Sequence, residues 1–237
     1  NFFNFWIILN IDLTSAFAVL NETLIYGSAI ILTVEFQRLK KSIFELNEKL
    51  QEIPLKCKKM AIKFGPTTSL RHQILIHQAT LQLQSQMKPE INQIIDKHSK
   101  ILDIFDSLEE LYSPILLVNF ICGLIALSVE EFTTIVAEDM EVIMSVLLTA
   151  ILQTSSFFMQ CYYCQQLKDA SLDISDAIYD CKWEDIEDVK VKKHLLMILM
   201  RSQKSKTLTC WKFAENSFEL FGSVRIEALM TLNLVLI

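Results

Sequence analysis

Residues 111–129 read LYSPILLVNFICGLIALSV, and residues 142–167 read VIMSVLLTAILQTSSFFMQCYYCQQL. Neither run contains a charged residue. About 20 apolar residues cross a bilayer as a helix, so each run is long enough for one span. Between them lies the segment 130–141, with Glu130, Glu131, Glu138, Asp139 and Glu141 and no base. A third run, 13–34, is broken only by Asn21 and Glu22. A fourth, 207–237, is apolar but carries Lys212, Glu215, Glu219, Arg225 and Glu227, so hydropathy alone leaves it open.

The composition points the same way. Of the 237 residues 51% are apolar and 21% charged, and the mean hydropathy is +0.33. Soluble chains carry about 25% charge. So much apolar surface excludes an intrinsically disordered chain. Four Gly and six Cys exclude collagen-like and disulfide-framework classes. Four Gly and four Pro leave few turn formers, so long helices and an all-α fold are expected.

The layout of charge decides orientation. Twelve of the 22 Lys and Arg fall within 38–100, nine within 168–212, and the last is Arg225. Residues 1–37 and 101–167 hold none. Basic residues gather on the cytosolic side of membrane proteins. The blocks 38–110 and 168–206 are therefore expected inside, and the acidic loop 130–141 outside. A polytopic membrane protein with four transmembrane helices follows: 1–37 runs inward, 111–129 outward, 142–167 inward, and 207–237 ends with an extracellular C-terminus.

The cytosolic blocks also read as helices. Phe36, Leu39, Ile43, Leu46 and Leu50 recur every three or four residues. Ile53-Pro54 is expected to end that helix, and 56–68 to form a loop. Further stripes run Leu70, Ile74, His77, Leu81, then Ile91, Ile94, Ile95, His98, Leu102, Phe105, Leu108. A last one spans 189–200, with Leu195, Leu196, Ile198 and Leu199. Such stripes bury themselves in a core or against another subunit.

Motifs for chemistry are scarce. Cys161-Tyr162-Tyr163-Cys164 has the spacing of a metal pair, but no second pair accompanies it. His72 and His77 do not share a helix face. No phosphate loop, GxSxG or HExxH occurs. The reading is therefore of a non-enzyme with no catalytic residue, metal or cofactor. Nucleic acid is not expected as a partner, since the pI is about 5.3. The sequon Asn21-Glu22-Thr23 falls inside the first span. Ionisable residues in a membrane helix usually face protein or water. On a helix Lys212, Glu215 and Glu219 share one face; Lys212 and Glu215 are expected in still-cytosolic, solvated turns, and Arg225 and Glu227, deeper in, to face water or another subunit.

The last third of the chain resembles the insect odorant receptors. Asp176-Ala177-Ile178-Tyr179 and Trp183 are similar to that family's "AIY...W" segment. Arg201-Ser202-Gln203-Lys204 matches its "RSQK" stretch. Leu208-Thr209, Lys212-Phe213, Ser217, Glu219 and Phe221 follow its "LTAGKFYPLSLETF". Ile95-Asp96-Lys97-His98 ahead of Leu111-Tyr112-Ser113-Pro114 resembles "IxxHxxIL...FSPIL". Glu35-Phe36-Gln37-Arg38-Leu39 looks like the "QFxxL" end of the fourth helix. Trp211 stands where the pattern has Gly, Glu215 where it has Pro, and Ala228-Leu229-Met230 where it has "SYS".

The resemblance implies the fourth to seventh helices of a seven-helix odorant-gated cation channel, with three helices expected upstream of Asn1. It implies an odorant receptor of sensory neurons, in the plasma membrane of the dendrite, assembled with a co-receptor subunit as a heterotetramer. A small volatile apolar ligand and membrane lipid are the other partners. Phe17, Leu20, Ile143, Val146 and Leu147 are the odorant-binding candidates. Ser223, Glu227 and Leu234 are the pore candidates on the last helix. Phe36, Leu39, His98, Tyr179, Trp183, Leu196, Phe213 and Glu219 are the subunit-interface candidates. The alternatives are a gustatory receptor of the same superfamily, whose "TYxxxxxQF" signature is absent here, and a metabotropic seven-helix receptor.

Overall fold

The computed structural model describes residues 2–63, 70–181, 183 and 186–224. Side chains are described from Glu22 onward, apart from residues 58, 60–63 and 70–72. Helix dominates: α1 (Phe2–Lys63), α2 (Leu70–Gln86), α3 (Lys88–Val136), α4 (Met140–Tyr179) and α5 (Val189–Ser202). A two-stranded antiparallel hairpin follows, β1 (Thr209–Cys210) and β2 (Ala214–Glu215), in the register Thr209↔Glu215 and Cys210↔Ala214. Helix resumes over 218–224.

The chain divides into two compact units. One comprises Asn1–Ile31, Asp106–Leu167 and Thr207–Ile237, the other Leu32–Phe105 and Lys168–Lys206. The segments expected from the sequence end at 37/38, 110/111, 167/168 and 206/207, whereas the units divide at 31/32, 105/106, 167/168 and 206/207.

The basic-rich unit has a conventional core. Phe36, Leu39, Ile43, Leu46 and Leu50 of α1 are all buried, as the stripe requires, and so are Ile91, Ile94, His98, Ile101 and Phe105 of α3. Full burial of each Phe, Leu or Ile contributes about 1.5–3 kcal/mol. Val191, Leu195, Ile198 and Leu199 form the buried face of α5. Polar links join the elements at their edges. Lys40 pairs with Asp173 at 2.7 Å and Lys49 with Glu90 at 2.8 Å. Gln84, itself buried, accepts the backbone N–H groups of Glu187 and Asp188 at 3.1 and 3.0 Å. Asp188 caps α5, its carboxylate accepting from the N–H of Lys190 and Val191. Burial alone would raise this carboxyl; the Lys88 ammonium and the two N–H groups outweigh that and hold it below the usual range.

Several expectations are corrected here. Pro54 does not end the helix that carries the 36–50 stripe; α1 runs through it to Lys63. Pro54 is exposed, while Ile53 and Cys57 on either side are buried and anchor the turn. The expected loop from 56 is therefore helical as far as 63, and 64–69 lie outside the described residues. In α2 the buried residues are Thr80 and Gln84, whereas Ile74 and His77 are exposed and Leu81 half-buried. Polar capture of the segment before α5 outranks the apolar stripe there. The acidic segment 130–141 is mostly helix, with only 137–139 between α3 and α4. It contains no Gly or Pro to stop a helix, and Glu is a good helix former.

The other unit carries an exposed apolar surface. Val118, Ile121, Ile125, Val129 and Phe132 of α3 and Met144, Leu148, Ile151 and Leu152 of α4 are all exposed. Both long helices contain an 18-residue window apolar enough for a bilayer, and almost none of it is buried within the chain. Water does not tolerate a patch of this extent on a monomer. Hydrocarbon does, and a helix meets its backbone hydrogen bonds internally there.

Candidate functional site

Within the apolar unit α3 and α4 form an antiparallel pair joined at 137–139. A Cβ added at Gly123 would sit 3.6 Å from Gln153 Nε2, and these two residues are equidistant from the connection. Beside this pair lies a cavity of about 900 Å³. Small residues, Gly123, Ala126 and Ala150, leave the room, and Leu124, Leu127, Leu147, Leu152 and Phe157 supply apolar wall. Glu22 of α1 and Phe221 and Val224 of the final helical segment complete the lining among the described residues.

The polar groups of this cavity fall into two sets. Glu22 is engaged: the Ser156 hydroxyl donates to its carboxylate, and the Tyr26 hydroxyl lies 3.0 Å from the Ser156 carbonyl oxygen and 3.4 Å from the Glu22 carboxylate. Such cross-helix bonds fix the α1–α4 register in an apolar medium. By contrast Asn119 Nδ2 and Glu130 Oε2 are buried without a hydrogen-bond partner among the described residues.

An aromatic row leads from the cavity to the final helical segment. Ring centroids are 6.1 Å apart for Phe120–Phe157, 5.8 Å for Phe157–Phe221, and 5.4 Å for Phe158–Phe221. Phe158 stacks on Phe218 at 5.9 Å. Phe157 on α4 is thus in ring contact with Phe221 of the final segment.

The hairpin precedes that segment, and it corrects the expectation of an uninterrupted helix from 207. Lys212 lies in its turn and Glu215 in β2, so they do not share a helix face with Glu219. The Phe213 N–H donates to the Cys210 carbonyl at 2.9 Å, closing a turn in which Trp211 and Lys212 have φ of 51° and 61°. Both are left-handed, a conformation that favours Gly. The hairpin is tied down on two sides. The Trp211 N–H donates to the Ser113 carbonyl at 3.2 Å, and the Thr209 hydroxyl to Glu109 at 3.0 Å. The Cys161 thiol donates to Asn216 Oδ1 at 3.2 Å. The Cys161–Cys164 pair is thereby placed in buried packing.

Of the ligand candidates, Leu147 lines the cavity. Ile143 and Val146 are half-buried on α4 and are not among its described lining. Phe17 and Leu20 lie in α1 with side chains outside the described residues. Of the pore candidates, Ser223 is exposed on the final segment, donating to the Glu219 carbonyl at 2.9 Å. Glu227 and Leu234 lie outside the described residues. Of the interface candidates, Phe36, Leu39 and His98 are packed inside their own chain at 1–2% exposure. Leu196 and Trp183 are half-buried, with Lys192 Nζ 5.4 Å from the Trp183 ring centroid. Tyr179, Phe213 and Glu219 are exposed. Sequence reasoning missed the Glu22–Ser156–Tyr26 set and Gly123. A lone acid in an apolar run was the available signal for the first.

The family model described as 7tm Odorant receptor matches residues 2–225. The chain belongs to the insect odorant receptor family. Among curated relatives, this odorant receptor chain is similar to Odorant receptor 85b of Drosophila melanogaster, 30% identical over 47% of this chain and 28% of that one. Odorant receptor 67c of the same species is 31% identical over 56% and 35%, and Odorant receptor 10 of Aedes albopictus 24% over 57% and 36%. The matched stretches thus span about a third of the relatives' length. Among solved structures, the insect olfactory receptor OR5 from Machilis hrabei, in complex with eugenol, superposes with a TM-score of 0.57 at 12% identity, covering 94% of this chain and 69% of that one. The fold is therefore that of an insect olfactory receptor, and this odorant receptor chain is a polytopic, predominantly helical membrane protein.

Proposed function

We propose that this chain is part of the ligand-selective subunit of a heteromeric odorant-gated cation channel in the dendritic plasma membrane of olfactory neurons. The observation that carries the reading is the cavity in a chain matched by the odorant receptor model over residues 2–225. Its wall is mostly apolar with few polar groups, the usual make-up of a small-molecule site. Leu147, with Ile143, Val146, Phe17 and Leu20, is assigned to odorant contact. The Phe157–Phe221 contact supplies a route from ligand to the last helix. A ligand that favours one arrangement of these rings shifts the population of the last helix, which is all that gating requires.

Ser223, Glu227 and Leu234 are assigned to the pore side of that helix, and its end to the extracellular face. Tyr179, Phe213 and Glu219, each exposed, and the half-buried Trp183 and Leu196 are assigned to contact with the co-receptor. Expression of the complete receptor with a co-receptor, followed by whole-cell recording against an odorant panel, tests the proposal. A ligand-evoked cation current is expected. Silence to every ligand from a receptor shown to reach the cell surface would overturn it.

A further inference from the structure

The described lining of the cavity is acidic. Glu130, Glu131 and Glu22 all line it, and among its described lining residues there is no Lys, Arg or His. The sequence explains why: residues 101–167 contain none of the three. Glu22 is held by Ser156 and Tyr26. Glu130 Oε2 is buried and has no hydrogen-bond partner among the described residues. A carboxylate in an apolar, half-enclosed space is costly unless it is paired. Leu127 lies one turn before Glu130 on the same face of α3, and Leu147 faces the cavity from α4. The free acceptor therefore sits beside aliphatic wall.

Resting on the odorant-receptor reading above, we infer that this cavity takes a small alkylammonium ion. The charged nitrogen donates to Glu130, and the alkyl chain lies against Leu127 and Leu147. An ammonium carries three donors and no acceptor, which suits a site whose free group at this end is an acceptor. A neutral alcohol of the same shape offers a single donor and leaves the carboxylate charge unbalanced.

The test is direct binding to the complete receptor in nanodiscs, with 3-methylbutylamine and its neutral isostere 3-methylbutan-1-ol as probes. The amine is expected to bind at least about tenfold more tightly, as for a charge-assisted pair out of bulk water. Glu130→Gln, which keeps the shape and removes the charge, is expected to abolish that preference while leaving the alcohol unchanged. Equal binding of the two probes, binding of neither, or an amine preference that survives Glu130→Gln overturns the inference. A second arm titrates phosphoethanolamine. Binding of this headgroup with the same Glu130 dependence and no alkylamine binding would assign the site to lipid and overturn the ligand reading. Binding needs no current, so this inference and the channel proposal fail separately.

Discussion

Trp211 shows how one residue can work against its surroundings. It sits at φ 51° at the tip of the hairpin, 63% exposed, so it gains little from burial. A left-handed non-Gly residue costs roughly 1–2 kcal/mol. Trp211→Gly is therefore expected to stabilise the protein by about 1 kcal/mol, read as a higher melting temperature in detergent. Trp211→Val, which adds β-branching to the same conformation, is expected to lower it. At His98 the effect is one of charge. Burial, with Arg201 and Lys206 nearby, pulls its pKa from 6.5 down to about 4. The folded protein thus binds fewer protons than the unfolded chain between these values. Stability from this residue is complete above pH 6.5 and is lost as pH falls toward 4. Melting curves at pH 7 and pH 5 are expected to differ, and His98→Gln to narrow the difference.

At the scale of elements, α5 and the α3–α4 pair make the firmest claims. Asp188→Ala removes the only side-chain cap described for α5 and its Lys88 pair, and is expected to cost about 1 kcal/mol. Gly123→Ala meets ordinary contact distance at Gln153 and should leave folding and ligand response intact. Gly123→Phe projects into the cavity and should raise the ligand concentration for half-maximal response about tenfold or more. The long helices and the buried stripes of α1, α3 and α5 were legible in the sequence, because spacing and apolar length encode them. The hairpin was not. Its strands have two residues each, and Trp211-Lys212 is not a pair that announces a left-handed turn. The cavity's polar set was equally hidden, since Glu22 and Ser156 are 134 residues apart and only the fold joins them.

For the whole molecule, the layout of 22 basic residues is the organising fact. The unit of Leu32–Phe105 and Lys168–Lys206 holds 20 of them. The apolar unit exposes Ile121, Ile125, Val129, Leu148 and Ile151, while the basic-rich unit buries Leu39, Ile43, Leu46, Ile91 and Leu195. A bilayer around the first and water around the second satisfies both. The central claim is that the protein itself conducts when ligand binds. An excised membrane patch carrying the complete receptor and a co-receptor, bathed in solution free of ATP and GTP, tests this most directly. Ligand is expected to open a cation current that persists in the patch. A response that vanishes without nucleotide, while intact cells still respond, would contradict it and assign the receptor to metabotropic signalling.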